Sequence, residues 1–490
     1  MSNCAIRIVL LVCVFINGLL SQPNSFFVTY GGEELDLAFA LSPTQDNNYV
    51  FVGGSSSFGE GYENTWLVKT DIEGTLLWQK AFGGDYTDTG YSVHETSDNG
   101  YLVAGVRGRF DPFGGNVADA YALKTNSDGD TLWTFLWEVG PDSRASFDAV
   151  TEVNDSTYIL AGTTDAEING GPPKSILVAL NSDGDQLWEK MYEPYSYTYT
   201  MIPTREEGYC IGGFYGVLGG FVEPLLIVAD IQGDMIWTKR GTELGIGLGT
   251  VTSVIQDENN NYLVLGNTQS SDPDVFVSKL DVNGNLLWSR RYGDSSIDQA
   301  FGIVCDEDGG YTFGGNTPFD LVTGDTTPLN VWLVHLDSEG EMVWEKTFGT
   351  EERDIGRDLQ KSPDGGYVIT GYTDLFYNAF LAKTDSLGNI DVFTSVFAPD
   401  LSALSLEAFP NPASDELTVV LPENLTLSVG NFIYTITDLS GKTIRRAAIT
   451  RNPTDKHTSL SVSITDLPSG FYVISLNDGE RTYAAKFVKQ

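Results

Sequence analysis

The sequence predicts an all-β protein with a seven-fold repeat followed by a small, non-repeating antiparallel domain. Two markers recur with a period near fifty residues. The first is Tyr-x-x-x-Gly, which begins at Tyr49, Tyr101, Tyr158, Tyr209, Tyr262, Tyr311 and Tyr367. The second is a turn glycine followed four residues later by a tryptophan, found at Trp78, Trp133, Trp188, Trp237, Trp288 and Trp344. Internal periods of this length indicate propellers, solenoids or repeat arrays.

Each copy contains four strand-like segments. Runs such as YVFVGG at 49–54 are rich in β-branched and aromatic residues, and WLVKTD at 66–71 alternates apolar and polar residues. A turn such as DIEG at 71–74 precedes the tryptophan strand, with Asp or Asn to open it and Gly for the φ > 0 position. Four strands per repeat are typical of a propeller blade, so we predict a seven-bladed β-propeller over 22–397. A β-solenoid is the alternative.

The start of the repeat region predicts how the ring closes. FFVTYGG at 26–32 aligns with WQKAFGG at 78–84, which is the outgoing strand of a copy. The seventh copy has Val392 where the other six have tryptophan. We therefore expect residues 26–32 to pair into the last blade, which would remove a free strand edge. The repeated tryptophans are expected to pack in the core or between blades rather than bind a ligand.

Residues 1–21 are predicted to be a signal peptide. Arg7 precedes an unbroken apolar run at 8–16, and cleavage is expected near Ser21. Cys13 could indicate a lipoprotein, but Val12 stands before it where a small residue is required. The run is too short to anchor the chain, and no transmembrane segment is expected after cleavage.

Two cysteines remain after cleavage, Cys210 and Cys305. They fall in the fourth and sixth copies, on blades that would not touch, so we expect buried thiols rather than a disulfide.

The acidic charge lies in the repeat region. The formal net charge is −39, and the +1 of residues 1–21 cancels the −1 of residues 401–490. Such a surface repels nucleic acid and anionic lipid, so neither is expected as a partner. A soluble surface suited to an extracellular medium explains the charge, and a basic or cationic partner is the alternative.

Catalytic motifs are sparse. His94, His335 and His457 lie in different repeats and in the tail, which gives no metal cluster and no Ser-His-Asp pattern. His335 takes the place of a lysine in other copies and is interpreted as a strand residue. The NSDGD turns at 126–130 and 181–185 lack the alternating carboxylates of calcium loops. No cofactor is predicted, and the sequence favours a protein that is not an enzyme.

One carboxylate recurs outside the turns. Four aspartates, each thirteen residues before the tyrosine of its copy, form what we call the aspartate arc: Asp36, Asp88, Asp298 and Asp354. Copies six, seven, one and two are consecutive in a closed ring, so the four would be neighbours. We expect each to accept backbone N–H groups in the turn that enters its strand. A patch that binds calcium or an amine near the central channel is the alternative.

The pattern changes after a predicted linker at 398–406. Alternating strands at 407–423, 432–446 and 459–490, with DLSGK and NDGE turns, predict a small antiparallel, Ig-like sandwich. Within it, PNP, DLSGK, LPSGFYV and a basic KFVK end resemble the type A sorting domain of the type IX secretion system of Bacteroidetes. The residues that carry this resemblance are Pro410, Asn411, Pro412, Asp438, Gly441, Lys442, Gly470, Tyr472, Lys486 and Lys489.

The resemblance implies a route and a partner. Such proteins enter the periplasm by the general secretory route and cross the outer membrane through the type IX machinery, which recognises the C-terminal domain. They are then released or attached to the cell surface. The propeller is similar to repeat regions of these secreted proteins, with DGGY at 308–311 and 364–367.

The function of the propeller stays open at this point. The first hypothesis is a monomeric binding module for a glycan or a protein. The alternative is a polysaccharide-degrading hydrolase or lyase with its site at the central channel, which would require two suitably spaced carboxylates. A structural role as an adhesin or spacer is the second alternative. Fold alone does not decide between them.

Overall fold

The structure is a computed structural model of the 490-residue chain. It describes residues 25–109, 117–138, 143–154, 156–165, 172–216, 220–270, 273–293, 297–318, 329–350, 353–373, 378–390, 407–409, 413–420, 431–438, 443–450, 459–465, 467–468, 470–477 and 482–489. The predicted signal peptide, the predicted linker, Val392 and His457 lie outside these ranges.

The first 28 strands form seven four-stranded antiparallel sheets. Blades 1 to 3 contain β2 (Asp36–Pro43), β3 (Tyr49–Ser55), β4 (Asn64–Thr70) and β5 (Leu76–Phe82); β6 (Asp88–Glu95), β7 (Tyr101–Gly108), β8 (Ala118–Thr125) and β9 (Thr131–Trp137); and β10 (Ala145–Asn154), β11 (Thr157–Thr164), β12 (Lys174–Asn181) and β13 (Gln186–Pro194).

Blades 4 to 6 follow the same order. They contain β14 (Ser196–Thr204), β15 (Gly208–Gly216), β16 (Val222–Asp230) and β17 (Met235–Arg240); β18 (Gly249–Gln256), β19 (Tyr262–Thr268), β20 (Val275–Leu280) and β21 (Leu286–Tyr292); and β22 (Gln299–Cys305), β23 (Tyr311–Thr317), β24 (Asn330–Leu336) and β25 (Met342–Phe348). Blade 7 combines β26 (Asp354–Lys361), β27 (Tyr367–Thr373) and β28 (Asn378–Lys383) with β1 (Phe26–Tyr30). A 3-10 turn, Gly241–Leu244, connects blades 4 and 5.

The sheets form a closed ring around a central channel. The first strand of each blade contacts the first strand of the next blade, and the circle closes where β26 contacts β2. This arrangement confirms the predicted seven-bladed propeller and excludes the solenoid. Among the described residues no helix is long and apolar enough to cross a membrane.

The ring is closed by the N-terminal strand, as predicted. β1 pairs antiparallel with β28, from Phe26 opposite Lys383 to Tyr30 opposite Ala379. The Tyr30 hydroxyl donates a hydrogen bond of 2.5 Å to the carbonyl of Gly74 in blade 1. Tyr292 makes the same contact, 2.7 Å long, from blade 5 to Gly340 of blade 6. β1 therefore supplies the last blade with the contacts that outer strands supply elsewhere.

Each outer-strand tryptophan packs against the following blade. The Trp78 ring lies 5.7 Å from the Tyr101 ring, and a Cβ on Gly129 would stand 3.0 Å from Trp78. Gly129 has φ +79°, so glycine is required there both by conformation and by the close approach of the indole. Phe26 takes the tryptophan's place in blade 7, where it faces Gly74. The tryptophans therefore pack between blades, as predicted.

Polar contacts also join neighbouring blades. The Lys279 ammonium of blade 5 lies 3.0 Å from Asp257 and donates a 2.8 Å hydrogen bond to the Tyr311 hydroxyl of blade 6. His335 occupies the same place in blade 6 and is buried there. Its Nδ1 lies 3.1 Å from Asp306, which also accepts a 2.8 Å hydrogen bond from Tyr367 of blade 7. At these two junctions a polar group of one blade therefore holds the repeat tyrosine of the next blade.

The two remaining cysteines are free thiols. Cys210 is buried in β15 and Cys305 is half-buried in β22, and burial raises the pKa of the Cys305 thiol to about 11.

The C-terminal unit is a sandwich of two sheets. β29 (Glu407–Phe409), β30 (Glu416–Val420) and β33 (Ser459–Ser463) form one sheet, and β31 (Asn431–Asp438), β32 (Thr443–Thr450), β34 (Gly470–Asn477) and β35 (Thr482–Lys489) form the other. Leu417 and Val419 from the first sheet share one apolar core with Ile436 and Ile474 from the second. The predicted antiparallel sandwich is confirmed.

We predict that Trp188→Ala lowers the free energy of unfolding by about 3 kcal/mol, because it removes the half-buried ring that covers Gly233 and faces Tyr209. Leu187→Ala is the matched control, since Leu187 is 53% exposed on the same strand and its loss should cost less than about 1 kcal/mol. Urea unfolding of the two variants measures both values. Equal losses would contradict the packing role assigned to the tryptophan.

Candidate binding site at the central channel

Every innermost strand has a β-bulge at the same level of the ring. In each case the register between the first and second strands of the blade shifts by one residue. A bulge leaves its extra residue unpaired and re-aims the side chain. Because the innermost strand has no partner on its channel side, these residues lie beside the channel. We call them the collar: Phe39, Tyr91, Asp148, Tyr199, Thr252, Phe301 and Arg357.

Collar side chains of adjacent blades touch one another. The Arg357 guanidinium lies 5.7 Å from the Phe39 ring, and the Phe39 ring meets the Tyr91 ring edge-on at 5.6 Å. Phe301 lies against the backbone of blade 7, where a Cβ on Gly356 would stand 2.3 Å from its ring. The contacts of Arg357, Phe39 and Tyr91 make a continuous side-chain wall through blades 7, 1 and 2, whereas Phe301 packs between Gly314 of its own blade and Gly356 of blade 7. Unlike the repeat tyrosines and glycines, the collar residues differ in chemistry from blade to blade.

Asp148 is the acidic member of the collar. Its carboxylate accepts a 2.8 Å hydrogen bond from the Ser146 hydroxyl, and Asp148 is only partly accessible to solvent. Burial raises the pKa of the Asp148 carboxyl to about 7, although Ser146 and the nearby Arg144 oppose the rise. Burial raises the pKa of Tyr91 and of Tyr199, and the charge of Asp148 adds to the rise. In the collar, Asp148 of blade 3 stands between Tyr91 of blade 2 and Tyr199 of blade 4.

A second channel carboxylate has a structural role. Asp358 accepts N–H hydrogen bonds of 2.8 Å from Leu41 of blade 1 and 2.7 Å from Leu359. Burial raises its pKa to about 6 despite these donors. Ser92 contacts the N–H of Val150 in the same way from blade 2 to blade 3. Such side chains satisfy backbone groups on the unpaired edge of the innermost strands.

The aspartate arc lies where the chain enters the innermost strands. Asp36 and Asp88 are buried, and burial raises the pKa of both. Asp36 accepts a 2.7 Å hydrogen bond from the Gly32 N–H, and Asp88 accepts one of 2.8 Å from the Gly84 N–H. Each aspartate thus holds the loop four residues before it.

The other two members of the arc occupy matching places. Asp354 begins β26 and accepts hydrogen bonds from the backbone and the hydroxyl of Thr350, the latter 3.0 Å long. Asp298 is buried one residue before β22. The arc spans blades 6, 7, 1 and 2. Binding of a cation there stays a prediction, and within the described ranges no group of three or more His, Cys, Asp or Glu side chains is placed to hold a metal ion.

The loops beside the start of the innermost strands carry exposed aromatic residues. Antiparallel order places the connections β3–β4, β5–β6 and their equivalents on this face. Tyr62 and Phe221 are 76% and 82% exposed there, and Tyr86 and Tyr195 lie on the same face. The opposite face carries the short turns that repeat in every blade. The collar, which lies near this face within the innermost strands, is the candidate site.

Sequence reasoning missed the collar. The aspartate arc was predicted because the same residue type, as at Asp36 and Asp88, recurs at one position of the repeat. The collar positions lie three residues later and do not share one residue type. The usable signal was that fixed offset: Phe39, Tyr91 and Asp148 each stand ten residues before the repeat tyrosine of their copy. A position that varies inside an otherwise regular repeat is where a binding residue can be placed without loss of the scaffold.

The sorting residues that the structure describes lie in one sheet. Asp438 pairs with Tyr472 across β31 and β34, and Gly470 pairs with Lys489 across β34 and β35. Lys486 is also in β35, which is an edge strand. The remaining sorting residues lie outside the described ranges: Pro410, Asn411, Pro412, Gly441 and Lys442.

Comparison with known proteins identifies the C-terminal unit. Residues 407–490 match the family described as the secretion system C-terminal sorting domain. The chain is therefore a type IX secretion cargo with a seven-bladed propeller, exported to the cell surface or the extracellular space. Its C-terminal domain interacts with that secretion system. No curated protein matches the sequence.

Solved structures resemble the chain weakly. PorZ, an essential surface component of the type IX secretion system of Porphyromonas gingivalis, is 12% identical with a TM-score of 0.41. The match covers 94% of this chain and 59% of PorZ, so the chain spans less than two thirds of that protein. A protein of unknown function from Dyadobacter fermentans is 12% identical with a TM-score of 0.43, and the match covers 74% of this chain and 98% of that one. At these scores the likeness carries no functional argument.

We predict that Asp148→Asn stabilises the protein at pH 8 but not at pH 4. The native state raises the carboxyl pKa, so stability that is present when the group is protonated is lost as the pH rises from about 4 through about 7. The asparagine side chain does not titrate, so the variant avoids this loss. At pH 8 its free energy of unfolding should exceed that of wild type by about 2 kcal/mol, a value lowered to allow for solvent in the channel. The facing groups are Ser146, Arg144 and the two phenols.

Thermal unfolding from pH 4 to pH 8 measures the difference. Asp128→Asn, at an exposed position in a turn, is the control for the general loss of one negative charge. The difference in melting temperature between the Asp148 variant and wild type should widen as the pH rises. If it does not widen, or if the Asp128 control shows the same difference, the raised pKa assigned to Asp148 is wrong.

Proposed function

We propose that the protein is a secreted or surface-attached glycan-binding protein and that the collar is its binding site. Export by the type IX system places the propeller outside the cell, where polysaccharides are accessible. The observation that carries the proposal is the repeated bulge, which brings seven non-repeating side chains to one level of the channel. Binding sites are typically concave, aromatic and supplied with a few polar groups.

The chemistry of the collar supports a glycan. Four of its side chains are aromatic, and such rings offer apolar faces with the amphipathic character that sugar rings match. Asp148, Thr252 and Arg357 supply acceptors and donors for hydroxyl groups. Tyr199 is 47% exposed and packs on Phe214 at 5.5 Å, so it presents a supported ring to a ligand.

Hydrolysis is the second candidate, and one observation favours it. A carboxyl group with a pKa near 7 suits a general acid. Glycoside hydrolysis requires a partner carboxylate a few ångströms away. Asp358, the other raised carboxyl in the channel, is engaged by two backbone N–H groups on blade 7, three blades from Asp148. This arrangement supports binding over cleavage. A spacer would need no variation in the collar, so the variation also speaks against a purely structural role.

The test is a glycan array probed with the mature chain, followed by titration of the best ligand. We expect Tyr199→Ala to weaken binding by about tenfold or more, because it removes a supported aromatic wall. Tyr62→Ala is the matched control, since Tyr62 is more exposed on the same face but lies outside the collar. Its effect should stay within about twofold.

The same preparation distinguishes the alternatives. Release of reducing ends that Asp148→Asn abolishes would favour the hydrolase. Glycan binding that is insensitive to Tyr199→Ala would place the site elsewhere, and no binding to any glycan would refute the proposal.

A further inference from the structure

We propose that the sugar unit received by the collar carries a free ammonium group, and that Asp148 is the acceptor for that group. The inference rests on the proposed glycan-binding function and names the chemical class of the ligand. It follows from the place of one carboxylate in a wall of aromatic rings.

Asp148 lacks a full counter-charge in the described part of the chain. Among the described residues its one side-chain hydrogen bond is neutral, from the Ser146 hydroxyl at 2.8 Å, and no ion pair within 4 Å involves it. The charge of Arg144 acts on Asp148, but Arg144 is exposed and also interacts with the Tyr91 phenol. A carboxylate removed from bulk water with a single neutral donor gains most from a ligand that brings positive charge.

The neighbours of Asp148 suit an ammonium group. Tyr91 precedes it in the collar and Tyr199 follows it, on blades 2 and 4. Electron-rich aromatic faces attract ammonium ions, and they also accept the apolar face of a sugar ring. Tyr199 is held by Phe214, which stacks at 4.3 Å on Tyr197 as well. The rings are therefore positioned before a ligand arrives.

The charge distribution orients such a ligand. The acidic propeller attracts cations over a long range, and the field is strongest inside a cleft with low-dielectric walls. Within the collar, Arg357 lies on blade 7 and Asp148 on blade 3, which are on opposite sides of a seven-membered ring. Arg357 repels an ammonium group and Asp148 attracts it. An amino sugar would thus enter with its nitrogen toward blade 3.

A lysine side chain presents the same ammonium group, and the collar favours the sugar for a geometric reason. Aromatic collar residues flank Asp148 on both sides along the ring, with Tyr91 and Phe39 on blades 2 and 1 and Tyr199 on blade 4. A ring-shaped ligand uses these faces, whereas a thin alkyl chain leaves them exposed.

The test compares three β-1,4-linked hexamers by calorimetric titration of the mature full-length protein at 0.15 M salt: glucosamine, N-acetylglucosamine and glucose. We expect the glucosamine hexamer to bind about tenfold more tightly than the acetylated one. Asp148→Asn should reduce that preference to within about twofold, whereas Asp128→Asn, which removes the same charge from an exposed turn, should preserve it. Circular dichroism establishes that both variants are folded, and Tyr199→Ala should weaken all three hexamers together.

The outcomes separate the two proposals. If glucosamine and N-acetylglucosamine hexamers bind equally, the ammonium inference is wrong while glycan binding stands. If hexalysine binds as tightly as the glucosamine hexamer and with the same dependence on Asp148, the ligand is a basic peptide and the amino-sugar assignment is overturned. If none of the hexamers binds and the array is also blank, both proposals fail.

Discussion

Each blade of the propeller depends on the next one, because the tryptophan of its outer strand is covered by residues of the following blade. The Trp133 ring lies 6.0 Å from Tyr158, and its indole N–H donates a 2.9 Å hydrogen bond to the Ser182 carbonyl. An isolated four-stranded blade would leave this surface in water. A ring is the one arrangement in which every blade has a successor, so the fold requires closure. β1 provides it, with Phe26 in place of the tryptophan.

Closure also positions the collar. The innermost strands face the channel with an unpaired edge, and side chains such as Asp358 and Ser92 satisfy backbone N–H groups of the neighbouring blade. These residues fix the strands relative to one another and leave the bulged positions free to vary. Recurrent residues therefore carry stability, and under the proposed function the residues at the bulges would carry recognition. Asp148 illustrates both roles: its partial burial costs stability at neutral pH, and we propose that it is the acceptor for a positively charged ligand.

The fold could be predicted from the sequence because the repeat tyrosine and the turn glycine occur once in each blade. Tyr49 and Gly53, the turn glycines and the aligned FFVTYGG segment determined blade number and closure, and the motifs around Tyr472 identified the sorting domain. The candidate site was not predictable in the same way. A bulge depends on strand pairing rather than on residue type, and Phe39, Asp148 and Arg357 share no chemistry that a motif could report. The aspartates that do repeat have a structural role: Asp88, for example, accepts a hydrogen bond from the backbone N–H of Gly84 in the preceding loop.

Hydrogen exchange on the mature chain tests most directly whether β1 closes the ring that supports the collar. A variant without residues 22–30 is compared with wild type and with Tyr30→Phe, which removes only the hydroxyl that contacts Gly74. We predict faster exchange of β28 amides and of the Leu41 amide in the truncated protein, and a melting temperature lower by several degrees. The Tyr30 variant should stay close to wild type in both. Unchanged exchange and an unchanged melting temperature after truncation would contradict the account.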